Sequence, residues 1–256
     1  MFLLYFLEES PRFNFEKNNF EKGFQILNKF RKESRIDPID EKMKSDIRSF
    51  YFQKKTDSTN LTTNLLDPKF ATTSLSLWSM WFVASYIFYS VLYLIPELIG
   101  KKKDNVNFSD LIHAVIFSTF FEVIGILTAL MMEIEYIGRL GCFKISFVLS
   151  VICSIFCMLK FNGWIIFLHF IKGSIQISNR TLYIYTSEAY PTEIRGVALG
   201  VASSFTRVAG LLTPVVNEFL ISFSPDYCFL GLFLTACIGL VISLNLKHET
   251  LNKKID

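Results

Sequence analysis

The stretch Leu75–Glu97, LSLWSMWFVASYIFYSVLYLIPE, decides the fold. It carries no charge before Glu97, and its serines are isolated among Leu, Trp, Phe, Val and Ile. The hydrocarbon core of a bilayer is about 30 Å thick, so a helix that crosses it needs roughly 20 mostly apolar residues. Leu111–Glu133, Phe143–Phe161, Gly163–Ala189 and Val197–Ser222 are also long enough, and Tyr227–Leu246 is a shorter sixth candidate. A water-soluble chain would show polar residues every turn or two instead. The pattern predicts an all-α membrane protein that crosses the bilayer several times.

Composition agrees with this reading. The chain is 51% hydrophobic and only 19% charged, and its 27 Phe suit lipid-facing and inter-helix surfaces. A net charge of +3 gives no hint of nucleic-acid binding. The five cysteines (Cys142, Cys153, Cys157, Cys228, Cys237) fall mostly inside apolar segments, where Cys behaves as a small hydrophobe. Cys153 and Cys157 share a helix face, but no His or second Cys pair accompanies them, so no metal site and no disulfide framework is expected. The three histidines (His113, His169, His248) are scattered, and no glycine-rich phosphate loop or nucleophile–base pairing is visible. An enzyme is not expected, and no cofactor is called for.

Before the apolar region the chain reads differently. Met1–Leu7 is apolar but lacks a basic leading region and is followed by Glu8-Glu9, so it is no signal peptide; it is read as the end of a truncated helix. Phe20, Phe24 and Leu27 recur at helical spacing among Lys and Glu, predicting a short amphipathic surface helix. From Ile36 to Pro68 the chain is polar, with one helical stretch expected around Asp40–Phe52. Residues 1–74 are therefore expected to form a truncated helix and a cytosolic loop, 75–246 the transmembrane bundle, and 247–256 a cytosolic tail. Lys and Arg favour the cytosolic side of short loops. That weighting puts both termini in the cytosol and requires an even number of crossings, which six satisfies.

Several polar residues fall at membrane depth, where a charge costs about 2.5–3.5 kcal/mol and usually faces a cavity or a partner. Glu122, Lys172, Asn179, Arg180 and Arg207 are the candidates for a solute-cavity lining. Lys172 and Asn179 are seven residues apart and share a helix face. Plainer readings stand beside these: a protonated Glu122 bonded to a neighbouring helix, a Lys172 that snorkels to the interface, and an Arg207 paired with Glu122. Gly196, Gly200 and Ser204 recur every four residues, a spacing that lets helices approach closely. Pro214, after Gly210, is expected to kink or loosen its helix.

The run Glu188-Ala189-Tyr190-Pro191-Thr192-Glu193-Ile194-Arg195 resembles the E-x-Y-P-T-x-x-R signature that ends the tenth helix of major facilitator superfamily transporters, in the sugar-porter and organic-ion branches. Arg207-Val208-Ala209-Gly210 through Pro214 is similar to a run typical of the synaptic vesicle glycoprotein 2-related branch. Other fragments follow in family order: Glu9-Ser10-Pro11-Arg12, the tryptophans Trp78 and Trp81, Phe121-Glu122-Val123-Ile124-Gly125, Glu135-Tyr136-Ile137-Gly138-Arg139, and Glu249-Thr250. Tyr136 stands where the family has Arg, Leu251 where the tail motif has Lys, and Arg180 where relatives commonly have a neutral residue.

The resemblance implies a six-transmembrane-helix bundle equivalent to helices seven to twelve of a twelve-helix carrier, preceded by its central cytosolic loop. It implies transport of a small solute by alternating access, with the solute near the bilayer midplane between two halves. The other wall would come from a missing N-terminal six-helix half or from a second copy. It also assigns Arg139, Glu188 and Arg195 to a cytosolic gate latch, with Glu8, Arg12 and Glu249 as outer members. For the latch residues, helix capping and orientation by positive charge is the plainer alternative. For the whole chain, the alternative is a half-length or truncated membrane protein with an assembly role and no transport of its own.

Overall fold

The computed structural model describes residues 9–57, 65–68, 70–102, 108–160, 163–246 and 249–250, and no strand occurs among them. The readings made for Met1–Leu7 and Glu8, and for the tail from residue 251 onward, lie outside the described residues. The chain divides into two units, 1–64 and 65–256.

Among its described residues the first unit holds three helices: α1 (Pro11–Glu16), α2 (Phe20–Glu33) and α3 (Glu41–Asp57). Pro11 sits at the first helical position, where its missing N–H costs nothing. Phe15, Phe24 and Ile39 are buried together, with Phe20, Leu27, Ile47 and Tyr51 packed around them. The spacing of Phe20, Phe24 and Leu27 thus marks the inward face of α2. The Asn28 side-chain oxygen accepts from the Ile39 backbone N–H at 2.9 Å, tying the α2–α3 turn together. Arg48 of α3 and Glu21 of α2 pair at 2.9 Å on the exposed side.

The described residues of the second unit form a bundle of six long helices: α4 (Ala71–Lys102), α5 (Phe108–Thr128), α6 (Gly138–Met158), α7 (Trp164–Ala189), α8 (Thr192–Phe223) and α9 (Pro225–Asn245). A 3₁₀ turn, Ala129–Glu133, continues α5. Among the described residues five helices are long and apolar enough to cross a membrane: those containing Ala71–Leu98, Ile112–Glu133, Gly138–Met158, Ile194–Phe223 and Pro225–Asn245. The protein is an integral, multi-pass membrane protein. Helix α7 falls outside that group because Lys172, Gln176, Asn179 and Arg180 lower its hydropathy, yet it is the hub of the bundle. It packs on α6, α5 and α4, and its residues from Ile171 to Ser178 are buried without a break. Polar groups are tolerated in a spanning helix when neighbouring helices cover them.

Several boundaries differ from the sequence reading, and two of them are informative. The third apolar segment was expected from Phe143, but α6 begins at Gly138, because the polar residues of its first turn are satisfied by partners distant in sequence. The fifth starts at Thr192 rather than Val197 and runs through Pro214 to Phe223. Within this chain, open space lies over Gly196 and Gly200, so no described helix closes on that stripe, whereas a Cβ on Gly210 would meet the Tyr89 ring at 3.3 Å.

A close helix approach is found elsewhere, between α5 and α7. A Cβ on Gly125 would collide with the carbonyl oxygen of Gly173, and one on Gly173 would lie 2.7 Å from the carbonyl oxygen of Phe121. Two glycines facing each other let these backbones touch. Inter-helix hydrogen bonds fix the remaining contacts. Trp81 Nε1 donates to Thr186 Oγ1 at 3.0 Å between α4 and α7, and Ser146 Oγ donates to the Ser174 carbonyl at 2.6 Å between α6 and α7. Ser85 and Thr206 hydroxyls meet at 2.9 Å between α4 and α8.

Candidate functional site

Two polar clusters stand on this scaffold, one at the C-terminal end of α7 and one near its middle. The first is built around Arg139, in the first turn of α6 and 6% exposed. Its guanidinium donates to Glu188 through Nη2 to Oε1 at 3.1 Å and Nε to Oε2 at 3.3 Å. Nη1 donates to the Met132 carbonyl at 2.7 Å, and Nη2 lies 3.3 Å from Glu133 Oε1. A guanidinium presents its donors in a fixed fork that matches a carboxylate, so the pair sets geometry as well as charge.

The tail completes the cluster. Glu249 accepts from the backbone N–H groups of Arg139 and Leu140, each at 3.0 Å. These N–H groups have no partner inside the helix, and the α6 dipole favours a carboxylate there. Thr250 Oγ1 donates to Glu188 Oε2 at 2.5 Å. Gly138 makes room for this arrangement: its φ is +59°, and a Cβ there would lie 2.5 Å from Glu249 Oε2. The left-handed conformation and the approach of Glu249 both call for glycine.

Of the latch residues named from the sequence, the structure brings Arg139, Glu188 and Glu249 together. Arg195 donates to the Tyr190 carbonyl at 3.4 Å, and its Nε is buried without a hydrogen-bond partner among the described residues. Arg12 lies 3.9 Å from Glu16 on its own helix, α1. Thr250, Glu133 and the Met132 carbonyl were not anticipated. Nearby, the Tyr190 and Ser74 hydroxyls meet at 2.8 Å, and Ser74 Oγ also donates to the Leu65 carbonyl at 2.8 Å. Burial pushes the Tyr190 phenol above its ordinary pKa, against the opposing effect of the Ser74 hydrogen bond, so the hydroxyl stays protonated near neutrality.

The second cluster lies where α5 crosses α7. Lys172 Nζ is 3.0 Å from Glu122 Oε2 and donates to Ser118 Oγ at 3.0 Å. The Lys172 side chain is 4% exposed and that of Glu122 24%. Gln176 Nε2 donates to Glu122 Oε1 at 2.8 Å, and Asn179 Nδ2 donates to Gln176 Oε1 at 3.2 Å. The ammonium also stands 5.4 Å from the centre of the Phe88 ring of α4.

Three of the five lining candidates, Glu122, Lys172 and Asn179, thus form one connected network. Two plainer readings of them give way. Lys172 is buried and paired rather than snorkelling to an interface, and Glu122 pairs with Lys172 rather than with Arg207. Arg180 and Arg207 are exposed, on α7 and α8. Gln176 and Ser118 were missed, although Gln176 is four residues from Lys172 and three from Asn179, the spacing of one helix face.

Such clusters can hold and orient charged groups. Among the described residues no group of three or more His, Cys, Asp or Glu could hold a metal ion.

The comparisons with known proteins point the same way. The family described as "Sugar (and other) transporter" matches residues 1–255. "Putative transporter SVOPL" of Danio rerio is 27% identical over 265 residues, covering 92% of this chain and 49% of the relative. "Putative transporter svop-1" of Caenorhabditis elegans is 24% identical over 274 residues, covering 98% and 50%. "Synaptic vesicle 2-related protein" of Rattus norvegicus is 25% identical over 260 residues, covering 92% and 45%. The chain spans about half the length of the curated relatives it matches. With its bundle of membrane-crossing helices and a match over nearly all its length, the chain belongs to the family of sugar and other transporters.

Proposed function

We propose that this chain is the carboxy-terminal wall of a solute carrier that works by alternating access, with both termini in the cytosol. The observation that carries the reading is the Arg139–Glu188 pair, with Glu249 and Thr250 closing over it from the tail. A salt bridge that joins two helix ends and a tail segment at one membrane face is suited to making and breaking as two halves rock. The pair is sheltered, so its opening during a transport cycle requires each charge to be taken up by another partner as the halves move.

The exposed guanidinium groups of Arg180 and Arg207 support a polar, water-lined face. Turned toward lipid, each would cost about 2.5–3.5 kcal/mol; turned toward a cavity between two six-helix halves, they would line the solute path. The second half would be an amino-terminal bundle or another copy of this chain. Arg195 keeps its expected place in the latch in the arrangement opposite to the one described, where a buried Nε without a partner would acquire one.

The reading is tested by solute flux into proteoliposomes that contain this chain together with an amino-terminal six-helix half, comparing Glu188 with Glu188→Gln. Flux that needs both halves and falls in the variant supports it. The absence of flux for every solute offered, with both halves inserted, would favour a membrane protein with an assembly role.

A further inference from the structure

Arg180 and Arg207 belong to neither cluster, and both are exposed. Among the described residues neither guanidinium has an ion pair or hydrogen bond. Contacts with α4 set their depth. Trp81 donates to Thr186 at 3.0 Å and packs edge-on to Tyr183 at 4.6 Å. Further along α4 the Phe88 ring meets Lys172, so α4 and α7 run antiparallel. Ser85 meets Thr206 at 2.9 Å and the Tyr89 ring stands over Gly210, so α4 and α8 run parallel. At 1.5 Å per residue, these contacts bring Arg180 and Arg207 within about one turn of the same level. Arg207 lies near the middle of its span, Ile194–Phe223.

Spacings of three and four residues put Arg207 on one side of α8 with Gly200, Ser203 and Gly210, while Val208 and Val215 mark an apolar side that suits lipid. The carboxylates that could serve the two cations are engaged elsewhere. Glu122 is held by Lys172 and Gln176. Glu218 accepts from the Tyr93 hydroxyl and stands three turns beyond Arg207, roughly 16 Å along α8. Two guanidinium groups thus face outward at membrane depth, on two helices that flank α4, with their charge uncompensated by the described residues.

We propose that the carried solute is an anion and that Arg180 and Arg207 together bind its charged oxygens; this rests on the reading of the chain as one wall of a carrier. The fork of donors on a guanidinium matches a carboxylate or a phosphate. An uncharged or cationic solute would leave both groups unpaired. A carboxylate fixed on the facing half would pair with them in every cycle, and sheltered pairs between the halves would resist the rocking that transport requires. A second copy of this chain would bring the same two cations and no counter-charge. A solute anion supplies the charge when it enters and removes it when it leaves.

The test is modification of arginine by phenylglyoxal in the purified chain in phosphatidylcholine nanodiscs, quantified at Arg180 and Arg207 by mass spectrometry. Both should react without solute. Succinate or phenyl phosphate should slow the reaction about tenfold at both positions, and glucose and tetraethylammonium should not; which anion protects separates carboxylate from phosphate recognition. Arg180→Gln should raise the anion concentration that half-protects Arg207 about tenfold, the loss of one charge-assisted hydrogen bond, and Arg207→Gln should do the same at Arg180. No protection by either anion, equal protection by glucose, no reaction at either arginine without solute, or protection at one position indifferent to loss of the other would overturn the proposal. So would reactivity that disappears, with no anion present, when an amino-terminal six-helix half is paired with the chain, since that half would then supply the partner. Flux separates this inference from the carrier reading. Passage of glucose through the paired halves with neither anion carried keeps the carrier and overturns the anion site, whereas anion protection without any flux supports the site and counts against the carrier.

Discussion

The carboxylate of Glu188 takes two hydrogen bonds from the guanidinium of Arg139, at 3.1 and 3.3 Å, across the interface between α7 and α6. Arg139 is 7% and Glu188 19% exposed at the side chain, so the pair is more sheltered than an ordinary surface bridge. Glu188→Gln keeps the shape and removes the charge. Transport should fall about tenfold, the scale of one charge-assisted hydrogen bond, while membrane insertion and detergent-solubilised yield stay unchanged. A double-mutant cycle with Arg139→Gln measured on flux should show coupling of about 1 kcal/mol or more; additive effects would mean the two residues act separately.

Gly138 carries a φ of +59° and faces Glu249. Gly138→Ala should destabilise the bundle by about 1–2 kcal/mol from backbone strain alone, with a further loss from displacing Glu249 off the first turn of α6. Thermal unfolding in detergent separates the two contributions. In a Glu249→Ala background the same glycine substitution should cost less, since only the strain remains.

Lys172 and Glu122 form a buried pair where one partner cannot be removed cheaply. Lys172→Met leaves a carboxylate without its cation and should destabilise the bundle by about 3 kcal/mol. The double variant Lys172→Met, Glu122→Gln removes both charges and should recover most of that loss. Equal stability of Lys172→Met and the parent would show that the pair contributes nothing.

The α5–α7 crossing has no room for side chains. Gly173→Leu should force the helices apart and break the Lys172–Glu122 contact with them, a loss larger than that of Lys172→Met. Thermal unfolding in detergent reads the loss: Gly173→Leu should unfold at a lower temperature than Lys172→Met, and a Gly173→Leu midpoint equal to the parent's would show that the two backbones need not touch.

Much of this architecture was legible from residue order alone. Apolar length is a local property, so the stretches beginning at Leu75 and Leu111 announce themselves as spans. Motif order gave Arg139, Glu188 and Glu249 as neighbours although they are up to 110 residues apart. What escaped depends on non-local geometry. The sequence offered Arg207 as the partner of Glu122; the Gly125–Gly173 contact, by fixing which face of α5 meets α7, brings Lys172 there instead. The start of α6 was placed late because Arg139 interrupts the apolar run, and only the partners Glu188 and Glu249 show how its first turn is satisfied. Gln176 carries no charge and drew no notice, yet it links Glu122 to Asn179.

The central claim is that this bundle moves solute only as one wall of a two-walled carrier whose near gate is held by Arg139 and Glu188. The most direct measurement is solute flux in proteoliposomes with the chain alone, with the chain plus an amino-terminal six-helix half, and with the same pair carrying Glu188→Gln. The account predicts no flux from the monomeric chain, flux once a second six-helix half is paired with it, and a loss of about tenfold in the variant. Flux from the chain as a monomer, or undiminished flux with Glu188→Gln, would contradict it.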